Sequence, residues 1–274
     1  MEKKKKMAVR IRPLTRYQDF KRLIDIQRRV WRHDDLDLTP THQFCITSRM
    51  GAIILGAFYG RELVGFVYSF PVVFEKKLGQ HSHLLAVLPE YQGYGIGKRL
   101  KWAQRDFAQK LGYRRITWTF DPLQAKNANL NLRSLRAVTR TYLRNFYGMD
   151  SELNLGPGIP TDRLLVEWPI GEKRAAKRRP KNASAFDPTS APQALAAIMR
   201  ANESLPGRVR LGLRAKSILA EVPCDINAWR PRPDLIAAWQ KSLRRVFEHY
   251  FGLGYAAVDF ISGDRCFYVL TREK

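Results

Sequence analysis

Residues 81–100, HSHLLAVLPEYQGYGIGKRL, constrain the fold more than any other stretch. His81 to Val87 is rich in apolar residues and bounded by Pro89, the pattern of a short buried strand. Glycine then recurs at alternate positions, Gly93, Gly95 and Gly97. Glycine removes the side chain, permits positive φ and lets the backbone come close to a ligand. A helix follows, with Leu100, Ala103, Phe107 and Leu111 at helical spacing. Strand, glycine turn and helix start together aim several N–H groups and the positive end of a helix dipole at one place. Such a cradle suits a phosphate or pyrophosphate.

The spacing excludes two common phosphate loops. A P-loop needs glycine, four residues, then Gly-Lys-Ser/Thr, but Gly97-Lys98 is followed by Arg99 and Gln92 stands where the first glycine belongs. A dinucleotide fingerprint needs Gly-x-Gly-x-x-Gly, and the glycines here do not fall so. The run Val87-x-Pro89-Glu90-Tyr91-Gln92-Gly93-x-Gly95-Ile96-Gly97 resembles the coenzyme A loop of the GNAT acyltransferase superfamily, Gln/Arg-x-x-Gly-x-Gly/Ala. Within it, a predicted-acetyltransferase group with HSH before the strand and TWTFDPL after the helix is similar in pattern. The resemblance implies an α/β (α+β) fold, a mixed, mostly antiparallel sheet flanked by helices. It also implies an acetyl-CoA (or other acyl-CoA) co-substrate, with no metal. On this resemblance the residues holding the co-substrate are Leu85, Ala86 and Val87 on the strand, Gln92, Gly93, Tyr94, Gly95, Ile96, Gly97 and Lys98 on the loop, and Asn127 on a later helix.

The chain has 274 residues, which suits one domain with an extension, or two domains. A GNAT unit of ~160 residues would bury roughly 70% of its unfolded surface, enough for its own core. The formal net charge of +23 attracts polyanions, whether nucleic acid, acidic membrane surface or phosphorylated cofactor. Cys45, Cys224 and Cys266 lie far apart without a CxxC pair, which predicts a reducing compartment and no structural zinc. No apolar run approaches the ~18 residues of a transmembrane helix, and no signal-peptide core follows Lys3 to Lys6. A cytoplasmic protein is expected, with no membrane partner.

Residues 1–7 read as a basic tail and 8–170 as the acyltransferase domain. Residues 8–13 alternate as a half-exposed strand. Phe20, Leu23, Ile24, Ile26, Gln27 and Val30 follow at helical spacing and Trp31 closes that helix. His33-Asp34-Asp35 is a polar loop and a second helix is expected from Thr41 to Met50. Residues 52–58 and 62–74 read as strands around a tight turn at Tyr59-Gly60-Arg61. Gly112 ends the loop helix; Arg115 to Phe120 is the next strand, 124–136 a short helix, and Val138–Phe146 and Asp162–Trp168 the last strands. In GNAT folds the strand at 115–120 parts from that at 81–87 and leaves a gap for the pantetheine arm. The resemblance places Trp31, His33, Asp34 and Asp35 over the acceptor site, and a loop-and-cap role is an equal alternative.

Residues 171–205 have linker composition, with the charge run EKRAAKRRPK and no aromatic interleaving to strengthen a nucleic-acid reading. Residues 206–274 form an α/β extension: a strand at Ser217–Val222, a helix at Leu235–Phe251, and strands at Ala256–Ile261 and Cys266–Leu270. Leu253-Gly254-Tyr255 before a strand repeats Leu111-Gly112-Tyr113 before a strand. This suggests a degenerate half-copy of the same fold, without the glycine loop and so without a cofactor role. A packing extension or a dimerisation element are the alternatives, and a homo-oligomer is left open.

Acyl transfer to an amine requires that the ammonium lose a proton, the developing oxyanion meet a donor and the leaving thiolate gain a proton. Direct transfer needs no covalent nucleophile, and the chain shows no Cys–His or Ser–His motif. A backbone N–H around Leu85–Val87 would serve the oxyanion. His81 and His83 are two apart on a strand and so face one side, with Leu85 and Val87 of the same parity. HSHLLAV resembles HxHxLAV of the arylalkylamine N-acetyltransferases, where two histidines relay the amine proton; the position of His81 also resembles that of the catalytic glutamate in histone acetyltransferases. An imidazole suits a base at neutral pH; two satisfied histidines on a buried strand are the alternative. Where many GNAT members carry a tyrosine acid, this chain has Leu132, so Tyr142 or water is the expected acid. Asp121 is a further polar candidate near the gap, or a turn cap with Pro122.

The expected activity is transfer of an acetyl or succinyl-like group from acyl-CoA to a primary amine on a small molecule or amino acid, arginine-rich surroundings suiting a carboxylate. A protein- or RNA-associated amine is the runner-up acceptor. The alternative from another class is a non-catalytic CoA-binding or nucleic-acid-associated protein that keeps the fold.

Overall fold

Alternation of apolar residues builds the first sheet and two amphipathic helices cover one of its faces. In the computed structural model residues 7–31, 35–149, 155–156, 158–171, 191–200 and 203–272 are described. Their contacts divide the chain into two units, 1–118 with 169–172, and 119–168 with 173–274. The cut falls inside a strand of the acyltransferase segment, whereas the sequence suggested a boundary near 170. The basic tail up to Lys6, His33, Asp34 and the charge run at 172–181 lie outside the described residues.

In the first unit β1 (Arg10–Pro13), β2 (Ile53–Tyr59), β3 (Glu62–Phe74) and β4 (Lys77–Val87) pair antiparallel in that order. The strand β5 (Arg115–Phe120) then runs parallel to β4. One face of this sheet packs α1 (Tyr17–Trp31) and α2 (Thr41–Arg49). Phe20, Leu23 and Ile26 of α1 and Phe44 of α2 close over Phe66, Tyr68, Ala86 and Leu88 in one buried cluster. The Phe44 ring meets Phe66 and Tyr68 edge-on at centroid distances of 6.3 and 4.9 Å, the geometry that opposes aromatic edge to aromatic face. The helix α3 (Ile96–Lys110) covers the other face. Gly112, at φ +84°, ends α3; an L side chain rarely adopts that conformation.

In the second unit α4 (Ala125–Ala128) runs into a π-helical turn, Asn129–Ser134, in place of the single short helix expected. The strands β6 (Val138–Leu143) and β7 (Arg163–Pro169) pair antiparallel. Residues 191–200 and 203–206, expected as linker, instead form β8 (Gln193–Leu195), β9 (Ala197–Arg200) and β10 (Glu203–Pro206). β9 and β10 make a hairpin, and β8 lies parallel to β11 (Ser217–Val222), where Ala194 and Leu195 are buried. Three residues of mixed type carry too little periodicity to be read as a strand.

The helix α5 (Pro233–Gly252) buries Leu235, Trp239, Leu243, Val246 and Tyr250, the periodic set of the sequence. β12 (Tyr255–Ile261) and β13 (Cys266–Arg272) follow. Gly254 (φ +80°) ends α5 as Gly112 ends α3, but the copy does not extend to topology. β13 lies between β12 and β11, antiparallel to both, whereas β4 and β5 are direct neighbours.

Cys224 and Cys266 form a disulfide, with Cα atoms 5.4 Å apart. This corrects the expectation of unpaired thiols; of the three cysteines Cys45 is free. Sequence spacing hid the pair because β11 and β13 are antiparallel and Val222 registers with Cys266. The bridge spans 42 residues. Reduction, or Cys224→Ser, is expected to cost ~2–4 kcal/mol by freeing that loop in the unfolded chain. Denaturant titration with and without reductant checks this; coincident curves for the wild type would contradict it.

Candidate active site

The site grows from β4 and the loop behind it. β4 registers with β5 only at Gln80–Ile116 and His81–Thr117. Beyond His81 its outer edge carries no β5 partner, although its inner edge stays paired to β3 as far as Val87. The chain then turns through a 3₁₀ segment at Pro89–Tyr91. Gly93 (φ +85°) and Gly95 (φ +77°) hold left-handed conformations, and Gly95 is the N-cap of α3. Its carbonyl accepts from Arg99 N–H at 3.1 Å. The first-turn amides of Ile96, Gly97 and Lys98 lie ahead of any intrahelical acceptor, as at every helix start. Gly97 is helical, and an added Cβ would sit 3.8 Å from Leu85 and 3.9 Å from Val87. Gln92 does not point along the cradle: its side-chain amide donates to the Val87 carbonyl at 2.9 Å, tying loop to strand end. Tyr94 is half-buried and Lys98 exposed.

A bulge corrects the expected parity. Tyr68 registers with Leu84 and Ser69 with Ser82, so His83 is the extra residue on β4. An inserted residue shifts every later side chain to the other face. His81 and His83 still share a face, their rings 5.8 and 5.7 Å from Phe70, and His83 lies 6.0 Å from Tyr68. Leu84 and Ala86 now join that face and its cluster, whereas Leu85 and Val87 turn toward Gly97 on α3.

His81 Nδ1 lies 3.1 Å from Thr117 Oγ1. Burial, with the charges of His83 and Lys101 behind it, pushes His81 down to about 4. Burial also lowers His83. Both rings are therefore neutral at pH 7, the form that can accept a proton. Lys101, on the buried side of α3, places its ammonium 3.7 Å from the Trp118 ring centroid, and burial lowers its pKa well below the usual lysine range.

In front of His83 lies a cleft of about 320 Å³ lined by Asp37, Leu38, Thr39, Pro40, Gln43, Tyr68, Phe70 and His83. Gln27 braces its wall, donating to the Thr39 carbonyl at 3.1 Å and accepting from Thr39 N–H at 2.9 Å. Sequence reading missed Asp37, Tyr68 and Phe70, because the aromatics look like core strand residues and Asp37 belongs to no motif. It chose Asp35 instead. That carboxylate is exposed and held by the Arg28 guanidinium in two 2.9 Å bonds, which keep its pKa low. Trp31 ends α1, half-buried against the first unit's core.

The remaining candidates belong to the second unit. Asn127 is exposed on α4. Asp121 accepts from Leu123 N–H at 2.8 Å, the turn-cap alternative, and burial raises it to about 6 against the pull of Arg163. Tyr142 donates to Asp162 at 2.6 Å. Burial first, then the Asp162 charge and that hydrogen bond, push its pKa far up. A phenol so held keeps its proton, which speaks against Tyr142 as the acid.

A strand that parts from its parallel neighbour and runs into a glycine-capped helix start defines a nucleotide-cofactor transferase site. Residues 20–132 match the model of the acetyltransferase (GNAT) family. The chain thus carries a GNAT-family acetyltransferase domain, and in this it belongs to the GNAT superfamily. No curated protein matches the sequence. Among solved structures it is similar to the ribosomal-protein-S18-alanine N-acetyltransferase from Escherichia coli, at 18% identity over 60% of this chain and 96% of that one, with a TM-score of 0.48. An acetyltransferase of the GNAT family from Streptococcus pneumoniae gives 19%, 60%, 100% and 0.49. The PaiA N-acetyltransferase from Thermoplasma acidophilum, solved in complex with coenzyme A, gives 16%, 60%, 99% and 0.42.

Proposed function

We propose that this chain moves an acetyl group from acetyl-CoA, or a related acyl group, to a primary amine by direct attack, with His83 as the base and His81 behind it. The observation that carries this reading is the free outer edge of β4 beyond His81 leading into the α3 cradle, with His83 on a cleft beside it. The first-turn amides of Ile96, Gly97 and Lys98 and the helix dipole bind the pyrophosphate. A free backbone N–H of β4 near Leu85 receives the oxyanion. The thioester supplies an activated carbonyl. His83 takes one proton from the ammonium; the amine nitrogen bonds to the carbonyl carbon as the carbon–sulfur bond breaks. The ammonium loses two protons in all, one reaching the thiolate through water and one released to solvent.

Calorimetric titration with acetyl-CoA tests the cradle. Gly95 sits at φ +77° with open space around it, so Gly95→Val strains the backbone by ~1–2 kcal/mol and is expected to weaken binding at least tenfold. Gly97→Ala, whose methyl meets only ordinary contacts, is expected to bind as wild type does. Equal losses in both, or wild-type binding that vanishes as salt rises, would replace the cradle with general phosphate attraction to the basic surface.

A further inference from the structure

The cleft in front of His83 departs in charge from the rest of the chain. With a formal net charge of +23, a random patch of this protein would be expected to present lysine or arginine. The eight lining residues include neither; their one charged side chain is Asp37. His83 is neutral at pH 7, and Thr39 has its backbone groups committed to Gln27. Tyr68 spends its hydroxyl on Thr47 Oγ1 at 3.0 Å, so it offers the cleft its ring and not a donor. Phe70, Leu38 and Pro40 add apolar surface.

Such a lining has a definite preference. An ammonium gains from the Asp37 carboxylate and from the faces of two aromatic rings. A carboxylate on the same molecule would find no cation to pair with and would face Asp37. The cost of leaving a charge unpaired in a concave, partly desolvated site is what makes such selection steep. A water occupies about 30 Å³ of liquid, so about 320 Å³ holds roughly ten atoms of that size. That is room for one six-membered ring with a short aminoalkyl arm, and not for a polypeptide side chain with its backbone.

Resting on the acyl-transfer reading, we propose that the acceptor is a small cationic amine with a flat apolar body and no carboxylate, and that Asp37 sets this specificity. This replaces the free amino acid that the sequence suggested. The arginines invoked for a carboxylate are elsewhere; Arg28, the one nearest in sequence to the loop, is occupied by Asp35.

The experiment measures thiol release by the full chain with acetyl-CoA and matched acceptors: phenethylamine against phenylalanine, tyramine against tyrosine, and a lysine-rich peptide. The amines are expected to exceed the amino acids at least tenfold in kcat/KM. Asp37→Asn is expected to raise KM for phenethylamine about tenfold with kcat held, the signature of lost uniform binding. Preference for the amino acids or the peptide, or an unchanged KM in Asp37→Asn, overturns the substrate class and leaves acyl transfer standing. Direct titration with phenethylamine separates the two claims. If no acceptor releases thiol but phenethylamine binds wild type more tightly than Asp37→Asn, acyl transfer fails and the cleft's ligand class holds. If phenethylamine neither reacts nor binds, both fall.

Discussion

His83→Ala is expected to lower thiol release by ~10²–10⁴-fold, the usual loss when a positioned base is removed, while acetyl-CoA binding is retained. Retention follows from geometry: His83 faces Phe70, Tyr68 and the acceptor cleft, whereas the cradle is built from residues 93–98. The pH profile makes the test sharper. His83 is pushed below the ordinary histidine value by burial, and His81 to about 4. The acid limb of kcat/KM that His83→Gln removes should therefore lie below pH 6.5. A limb removed at or above 6.5 would contradict the assignment. Stability moves in the same window. Between pH 6.5 and about 4 the unfolded chain binds a proton at residue 81 that the native chain refuses. Stability is therefore full above 6.5 and falls as pH drops to about 4, by roughly 3 kcal/mol for the half-buried His81. His81→Gln should flatten that fall. If His83→Ala retains turnover, or loses acetyl-CoA binding together with it, the histidine acts as packing and the base lies elsewhere.

Local pattern revealed the elements, and long-range pairing decided the site. The α3 and α5 faces follow from the 3.6-residue spacing of their apolar residues, and Ser217–Val222 is a strand with the bounds its alternation indicates. Gly93, Gly95 and Gly112 hold the positive φ that their positions suggested. The His81–His83 pair was legible, but its partners were not. A bulge is a property of two strands, and nothing in HSHLLAV reveals that Tyr68 faces Leu84 while Ser69 faces Ser82. Asp37 escaped notice for a related reason: it matters through Tyr68, Phe70 and Gln43, which come from three other places in the sequence. The Cys224–Cys266 bridge and the short β8 likewise exist only because β11 brings distant residues into register.

Asp162→Ala is expected to cost the second unit ~3–5 kcal/mol, the loss when one member of a buried charged pair is removed. The Asp162 side chain is fully buried, and four donors converge on it. Arg244 of α5 gives it Nε at 2.8 Å and Nη2 at 2.7 Å, Tyr142 of β6 gives its hydroxyl at 2.6 Å, and Asn145 gives a backbone N–H at 2.9 Å. These partners join α5, β6 and the turn after β6, so the loss is distributed over the unit and should lower its unfolding midpoint as a whole. Tyr142→Phe removes one neutral donor and leaves three, so the expected cost is ~0.5–1.5 kcal/mol. The same variant decides the catalytic question. A tyrosine whose proton is held by Asp162 serves the fold, and its loss should leave kcat within a factor of a few at the temperature where the variant is folded. A tyrosine that protonated the thiolate would cost orders of magnitude in kcat and alter the basic limb of the pH profile. Denaturant titration of Asp162→Ala, Tyr142→Phe and the double variant then separates pair from network. Additive losses would mean that Tyr142 and Asp162 act independently, contrary to the 2.6 Å bond between them.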